Sequence, residues 1–147
     1  MLHSDKKLNE VMTRDPEVIR PDASIQEAAR KMKDLNVGSV PVCDGDRLMG
    51  MVTDRDITLR AVAEGRDPKM TRVNETMTKG VIYCFEDQTL KDAADLMAEK
   101  QIRRLPVLSR EKRLVGIISL GDVSIEGNDQ TSGNTLQDIS RPSHPDR

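Results

Sequence analysis

The chain carries the same unit twice. Aligned with an offset of 65, Asn9-Glu10-Val11-Met12-Thr13 lies over Asn74-Glu75-Thr76-Met77-Thr78, Asp22 over Asp87, Ala28-Ala29 over Ala93-Ala94, Met32 over Met97, and Pro41-Val42 over Pro106-Val107. One extra residue in a turn, Ser109-Arg110-Glu111-Lys112 against Asp44-Gly45-Asp46, moves the offset to 66; Arg47-Leu48, Gly50 and Asp56 then meet Arg113-Leu114, Gly116 and Asp122. A tandem duplication constrains the fold strongly, because both copies must reach one architecture. A unit of about 50 residues buries too little surface to fold well alone. The copies are therefore expected to pack sheet to sheet with pseudo-twofold symmetry, leaving a cleft on the axis between them.

Each copy reads as β-α-β-β-α, an α/β (α+β) class. A short opening segment (Leu8–Met12; Val73–Met77) leads to an extended stretch (Val18-Ile19; Val81–Phe85). A helix follows, opened in the first copy by a capping box of Ser24 and Glu27 and in the second by Thr89 and Asp92. Ile25, Ala28, Ala29, Met32 and Leu35, and then Leu90, Ala93, Ala94 and Met97, recur at helical spacing on one face. Next come two strands around a tight turn: Ser39–Cys43 and Leu48–Thr53 about Asp44-Gly45-Asp46, and Leu105–Leu108 and Leu114–Ser119 about Ser109–Lys112. A second helix begins near Asp54 and runs towards Ala63, stopped by Gly65 and Pro68; its counterpart after Leu120 is short. The organisation expected is a first repeat over residues 8–64, a linker over 65–72, a second repeat over 73–126, and a disordered polar tail over 127–147.

Composition removes several classes of function. The 23 basic and 25 acidic residues, net charge -2, are mixed along the chain, so no basic stripe marks a nucleic-acid surface. Tyr83 and Phe85 are the only aromatics, too few for base-stacking platforms. The only histidines, His3 and His144, lie near the termini, which argues against Ser–His–Asp, Cys–His and His–zinc centres. No apolar run approaches the ~20 residues of a membrane span. Met1–Lys7 lacks the apolar stretch of a secretory signal, so a cytoplasmic location is expected. Cys43 and Cys84 read as buried strand residues in a reducing compartment, and Asp44-Gly45-Asp46 as a turn lacking a calcium loop's ligand set.

The most specific segments are Gly50-Met51-Val52-Thr53-Asp54-Arg55-Asp56 and Gly116-Ile117-Ile118-Ser119-Leu120-Gly121-Asp122. Each runs from a strand end into the first turn of a helix, where free N–H groups and the positive dipole end suit phosphate. The Thr/Ser hydroxyl can add a contact to phosphate or ribose, and the Asp one turn on can accept from a vicinal diol. The same pattern is also a plain helix cap, worth about 1 kcal/mol. The copies differ: Asp54-Arg55 faces Leu120-Gly121, removing a cation from the second helix start, and Gly38-Ser39 faces Arg103-Arg104. Those arginines either grip phosphate or end a solvated strand.

Val40-Pro41-Val42 followed by Gly50–Ile57, repeated as Leu105-Pro106-Val107 followed by Gly116–Val123, resembles a pair of cystathionine-β-synthase-type (CBS) domains. Val11-Met12-Thr13 and Thr76-Met77-Thr78 resemble the family's opening segment, and the similarity covers about residues 8–125. The resemblance implies a disc-like dimer of pairs, hence a homodimer, and a cleft that binds an adenosine-containing ligand: AMP, ADP, ATP or S-adenosylmethionine. It puts phosphate and ribose on Thr53 and Asp56, and on Ser119 and Asp122. The base pocket falls on Ser39, Val40 and Pro41 and on Arg104, Leu105 and Pro106, with Ile19 beside them; Arg55 is a candidate for phosphate.

Together these features describe a non-catalytic sensor module that requires no cofactor and signals to an effector protein on a separate chain. The alternative is a structural, stress-associated interaction module with vestigial nucleotide sites. A small nucleotide hydrolase is disfavoured, because the chain lacks a histidine in its folded part and a Gly-rich phosphate loop ending in Lys-Ser/Thr.

Overall fold

The computed structural model describes residues 6–126, so His3, His144 and the tail expected over 127–147 lie outside the described residues. In chain order the elements are α1 (Leu8–Val11), β1 (Thr13–Arg14), α2 (Ile25–Leu35), β2 (Ser39–Asp44), β3 (Arg47–Thr53) and α3 (Asp54–Ile57). A π-type turn, Thr58–Val62, prolongs α3, and a 3-10 turn, Val73–Glu75, opens the second copy. Then follow β4 (Cys84–Phe85), α4 (Leu90–Lys100), β5 (Arg104–Leu108), β6 (Leu114–Ser119) and α5 (Leu120–Glu126). The mixed α+β class agrees with the reading from sequence.

The described chain forms two compact units, one from residues 6–16 and 82–126, the other from residues 17–81. The opening segments therefore do not pack as the linear order of the repeats suggests. Leu8 and Met12 belong to the core of Cys84, Leu90, Met97, Leu105 and Ile118, in the second copy. Val73 and Met77 belong to the core of Ile19, Ala28, Val40, Val42 and Val52, in the first. Each copy lends its opening segment to the unit built by the other.

The sheets show the same exchange. In one unit the strand order is β1-β6-β5-β4, with Thr13 opposite Ile117 and Cys84 parallel to Val107. In the other, the β2-β3 hairpin is flanked by two single bridges at equivalent places, Met51 with Thr78 and Ile19 with Val42. Glycine makes the close crossing feasible. A Cβ on Gly50 would meet the Thr78 carbonyl oxygen at 2.6 Å, and one on Gly116 would meet the Met12 sulfur at 2.5 Å. Met12, and at Gly50 the Met77 sulfur at 2.9 Å, occupy the space the missing side chains leave.

Local signals behave largely as read. Gly45 sits at φ 64 in the first hairpin turn, and the extra residue of the second, Lys112, takes the same left-handed conformation at φ 64. Thr89 and Asp92 form the reciprocal capping box of α4. At α2 the Ser24 hydroxyl accepts the Glu27 N–H at 3.1 Å, but the expected return bond from the exposed Glu27 carboxylate is not formed among the described residues. The apolar stripe of α2 is also narrower than its spacing suggests: Ile25, Ala28 and Met32 are buried, while Ala29 at its margin and Leu35 in the last turn are exposed. Both long helices end on a left-handed residue at matching positions, Asn36 and Gln101.

Candidate functional site

The two repeated motifs build the same junction, each inside one unit. At the end of β3, Thr53 is extended, and its hydroxyl accepts the Asp56 N–H at 2.9 Å while the Thr53 N–H donates to Asp56 Oδ2 at 2.9 Å. At the end of β6, the Ser119 N–H donates to Asp122 Oδ2 at 2.8 Å, and the Asp122 N–H donates to Ser119 Oγ at 3.1 Å. The carbonyl before the preceding strand completes each junction. Gly38 accepts the Asp54 N–H at 3.0 Å, and Arg103 accepts the Leu120 N–H at 2.8 Å.

These bonds decide which backbone donors a ligand could use. At the first junction the N–H groups of Asp54, Arg55 and Asp56 all have partners within the unit, Arg55 donating to the Asp54 carboxylate at 2.8 Å. The same carboxylate puts negative charge where an anion would approach. The second junction has Leu120-Gly121 there, so it lacks that carboxylate as well as the Arg55 cation. Sequence reasoning weighed only the lost cation. Asp54 could have been noticed, since Asp in a first helical turn is a familiar N-terminal partner.

The two carboxylates also differ in surroundings. Asp56 is buried, and the Thr78 hydroxyl donates to its Oδ1 at 3.1 Å, within 3.4 Å of Oδ2. Arg60 also approaches it, its Nε 4.0 Å from Asp56 Oδ1, while its Nη1 donates to the carbonyls of Thr76 and Met77 at 3.1 and 3.0 Å. Asp122 is only half-buried and lies near Arg104. Burial pulls the Arg104 guanidinium below its ordinary value, and the Asp122 charge opposes that fall. Thr78 and Arg60 escaped the sequence reading: Arg60, four residues after Asp56, carried an i,i+4 signal, whereas the contact of Thr78 with Asp56 spans 22 positions and has none.

The remaining candidates divide between strand starts and cores. Ser39 pairs with Thr53 and Arg104 with Ser119 in the two hairpin ladders, which sets both beside a cap. Ile19, Val40 and Leu105 are core side chains, and Pro41 and Pro106 are buried, so these positions offer a ligand mainly backbone. Arg55 is exposed. A shallow groove of about 270 Å³, lined by Tyr83, Cys84, Gln88, Asp92, Asp95, Leu96 and Glu99, contains none of the candidates, and its carboxylates disfavour phosphate. Cys43 and Cys84 are buried strand residues, as expected, and burial pushes each thiol up to about 11. Among the described residues no helix is long and apolar enough to cross a membrane.

Comparisons with known proteins agree with the paired geometry. The family model described as CBS domain matches residues 8–62 and 73–126. The chain is 42% identical over 134 residues to CBS domain-containing protein YhcV of Bacillus subtilis (strain 168), covering 90% of this chain and 94% of that one. Its fold resembles the structure of Hypoxic Response Protein I with two coordinated zinc ions, at TM-score 0.76 and 31% identity over 84% of this chain and all (100%) of that one. It also resembles CBSX2 in complex with AMP, at TM-score 0.69 and 28% identity over 81% of this chain and 93% of that one. Among the described residues, no group of three or more His, Cys, Asp or Glu side chains is placed to hold a metal ion.

Proposed function

Since this chain belongs to the CBS domain family, a family of regulatory modules, we propose that it is a non-catalytic sensor of an adenosine-containing ligand. The observation that carries this reading is the duplicated junction. Each copy ends a strand on a Thr or Ser hydroxyl and follows it, one turn on, with a carboxylate beside the start of the neighbouring strand. A ribose diol is matched by the carboxylates of Asp56 and Asp122, and a phosphate by the hydroxyls of Thr53 and Ser119. The AMP complex of CBSX2 supports the choice of ligand class.

The two junctions are not equivalent in this proposal. Ser119 and Asp122, with Arg104 alongside and no counterpart of Asp54, form the site for a phosphate-bearing ligand. Thr53 and Asp56, where the Asp54 carboxylate takes the Arg55 amide and adds negative charge at the helix start, form the weaker one. Exposed Leu59, Val62 and Met70 support self-association, so the proposed state is a homodimer acting on a separate effector chain. A cytoplasmic location belongs to the same proposal.

Calorimetry and thermal shift with AMP, ADP, ATP, NAD and S-adenosylmethionine test the reading, with Asp56→Ala and Asp122→Ala as controls. A ligand at 100 times its dissociation constant should stabilise the fold by about 2.7 kcal/mol. A shift that survives both substitutions overturns the ribose assignment, and two equal, independent sites overturn the asymmetry. One observation favours a second reading, an interaction module with vestigial sites: the hydroxyls and carboxylates are already engaged as caps. Failure of every ligand in the panel to bind would select it.

A further inference from the structure

We propose that Thr78 is an autoinhibitory latch on the first ligand site, occupying the face of Asp56 that a ribose would need. The inference rests on the ligand reading given above and adds a mechanism to it. The Thr78 hydroxyl is 3.1 Å from Oδ1 and 3.4 Å from Oδ2, so it sits in front of the carboxylate and spans both oxygens. A vicinal diol donating one hydroxyl to each oxygen takes that same position. Little else of the carboxylate is open: Oδ2 also accepts the Thr53 N–H at 2.9 Å, and Asp56 is 8% exposed. A diol therefore reaches Asp56 by displacing the Thr78 hydroxyl, which belongs to an exposed residue.

The latch is tied to a strap. Thr78 exchanges two backbone bonds with Met51, at 2.9 and 2.8 Å, and Arg60 holds the carbonyls of Thr76 and Met77. Past the strap, the chain leaves one compact unit after Val81 and enters the other. Displacement of Thr78 thus loosens one of the two places where the chain passes between the units, the other lying after Pro16. The second copy lacks both parts of the device. Thr13 makes no such bond to Asp122 among the described residues, and the position matching Arg60 is Glu126. Occupancy of the first site is read out through the strap, whereas occupancy of the second is not.

The test uses the full chain carrying Asp122→Ala, so that the first site reports alone, with AMP as the probe. Calorimetry is combined with hydrogen exchange of residues 73–80 in Thr78, Thr78→Val and Thr78→Ser versions. The expected result is about fivefold tighter AMP binding by Thr78→Val, the equivalent of one competing hydrogen bond removed. AMP should also speed exchange of the strap in the Thr78 chain, leave the already faster Thr78→Val strap unchanged, and act on Thr78→Ser as on Thr78. Binding that requires Asp56, yet neither tightens in Thr78→Val nor loosens the strap, overturns the latch alone. Absent binding, or binding that survives Asp56→Ala, overturns the ligand assignment at Asp56 and the latch with it.

Discussion

Gly50 and Thr78 are 28 positions apart in sequence, yet a single methyl group on the glycine would come within 2.6 Å of the threonine's carbonyl oxygen. That oxygen accepts the Met51 N–H at 2.9 Å, and the Thr78 N–H returns a bond to Met51 O at 2.8 Å, so it cannot retreat without breaking the pair. The motif glycine is thus a packing residue for the exchanged opening segment, whatever the motif binds.

Gly50→Ala is expected to destabilise the chain by about 2–3 kcal/mol, the upper range for overpacking. Gly116→Ala should cost less, because the first atoms met there are the flexible Met12 Sδ and Cγ, at 2.5 and 2.8 Å, ahead of the Thr13 carbonyl at 2.9 Å. Urea unfolding of the two variants checks the order. A smaller loss for Gly50→Ala would show that the strap moves more freely than its bonds suggest.

The caps should also differ in strength. Thr53→Ala and Ser119→Ala each remove a hydroxyl acceptor and are expected to cost about 1 kcal/mol. Asp56→Ala should cost more than Asp122→Ala. It removes the Thr78 hydrogen bond as well as that from the Thr53 N–H, and it empties a buried position where Asp122 is half-buried. Equal denaturation midpoints for the two aspartate variants would contradict this.

The thiols predict an alkaline limit. Burial raises Cys43 and Cys84 from 9.0 to about 11, with the charges of Asp46 and Asp92 adding to the rise. The folded chain then keeps protons that the unfolded chain releases above pH 9, so their contribution is complete below pH 9 and is lost as the pH climbs through about 11. The Cys43→Ala/Cys84→Ala chain should lose less stability over that window. Both native thiols should react slowly with a thiol reagent near neutral pH and quickly in urea.

An acid-side prediction comes from the second hairpin turn. Arg110 holds Asp87 with Nη2 to Oδ1 at 2.8 Å and Nε to Oδ2 at 2.9 Å, while its guanidinium lies 4.2 Å above the Phe85 ring. The Arg110 hydrogen bonds keep the Asp87 carboxyl below its ordinary 3.8. The pair therefore contributes above that value and is lost as the pH falls through the lowered one. An NMR titration should show Asp87 rising back towards 3.8 in Arg110→Ala. Arg110→Lys should restore only part of the shift, since Lys lacks the planar fork and the stacking face.

Much of this was legible because it is local. Capping by Thr53, Thr89 and Ser119 needs only residues three apart, and the Gly45 turn needs only a left-handed conformation that glycine adopts without strain. The exposed Ala29 and Leu35 show where periodicity fails, since a helix face is buried only as widely as its neighbours cover it. Asp54 was legible as a carboxylate in a first helical turn, but its seat beside Gly38, where it takes the Arg55 amide, was not.

By itself the sequence determined the duplication, the order of elements in each copy, the paired Thr/Ser and Asp junctions and the family they belong to. Those are properties of near neighbours along the chain and of a pattern that recurs in register. The tertiary structure alone decided that each copy's opening segment completes the other copy's sheet and core. It also decided that Asp56 is closed by Thr78 while Asp122 lies near Arg104. The reason is physical: a buried carboxylate takes its partners from whatever backbone crosses it, and that crossing is set by long-range packing over a missing side chain.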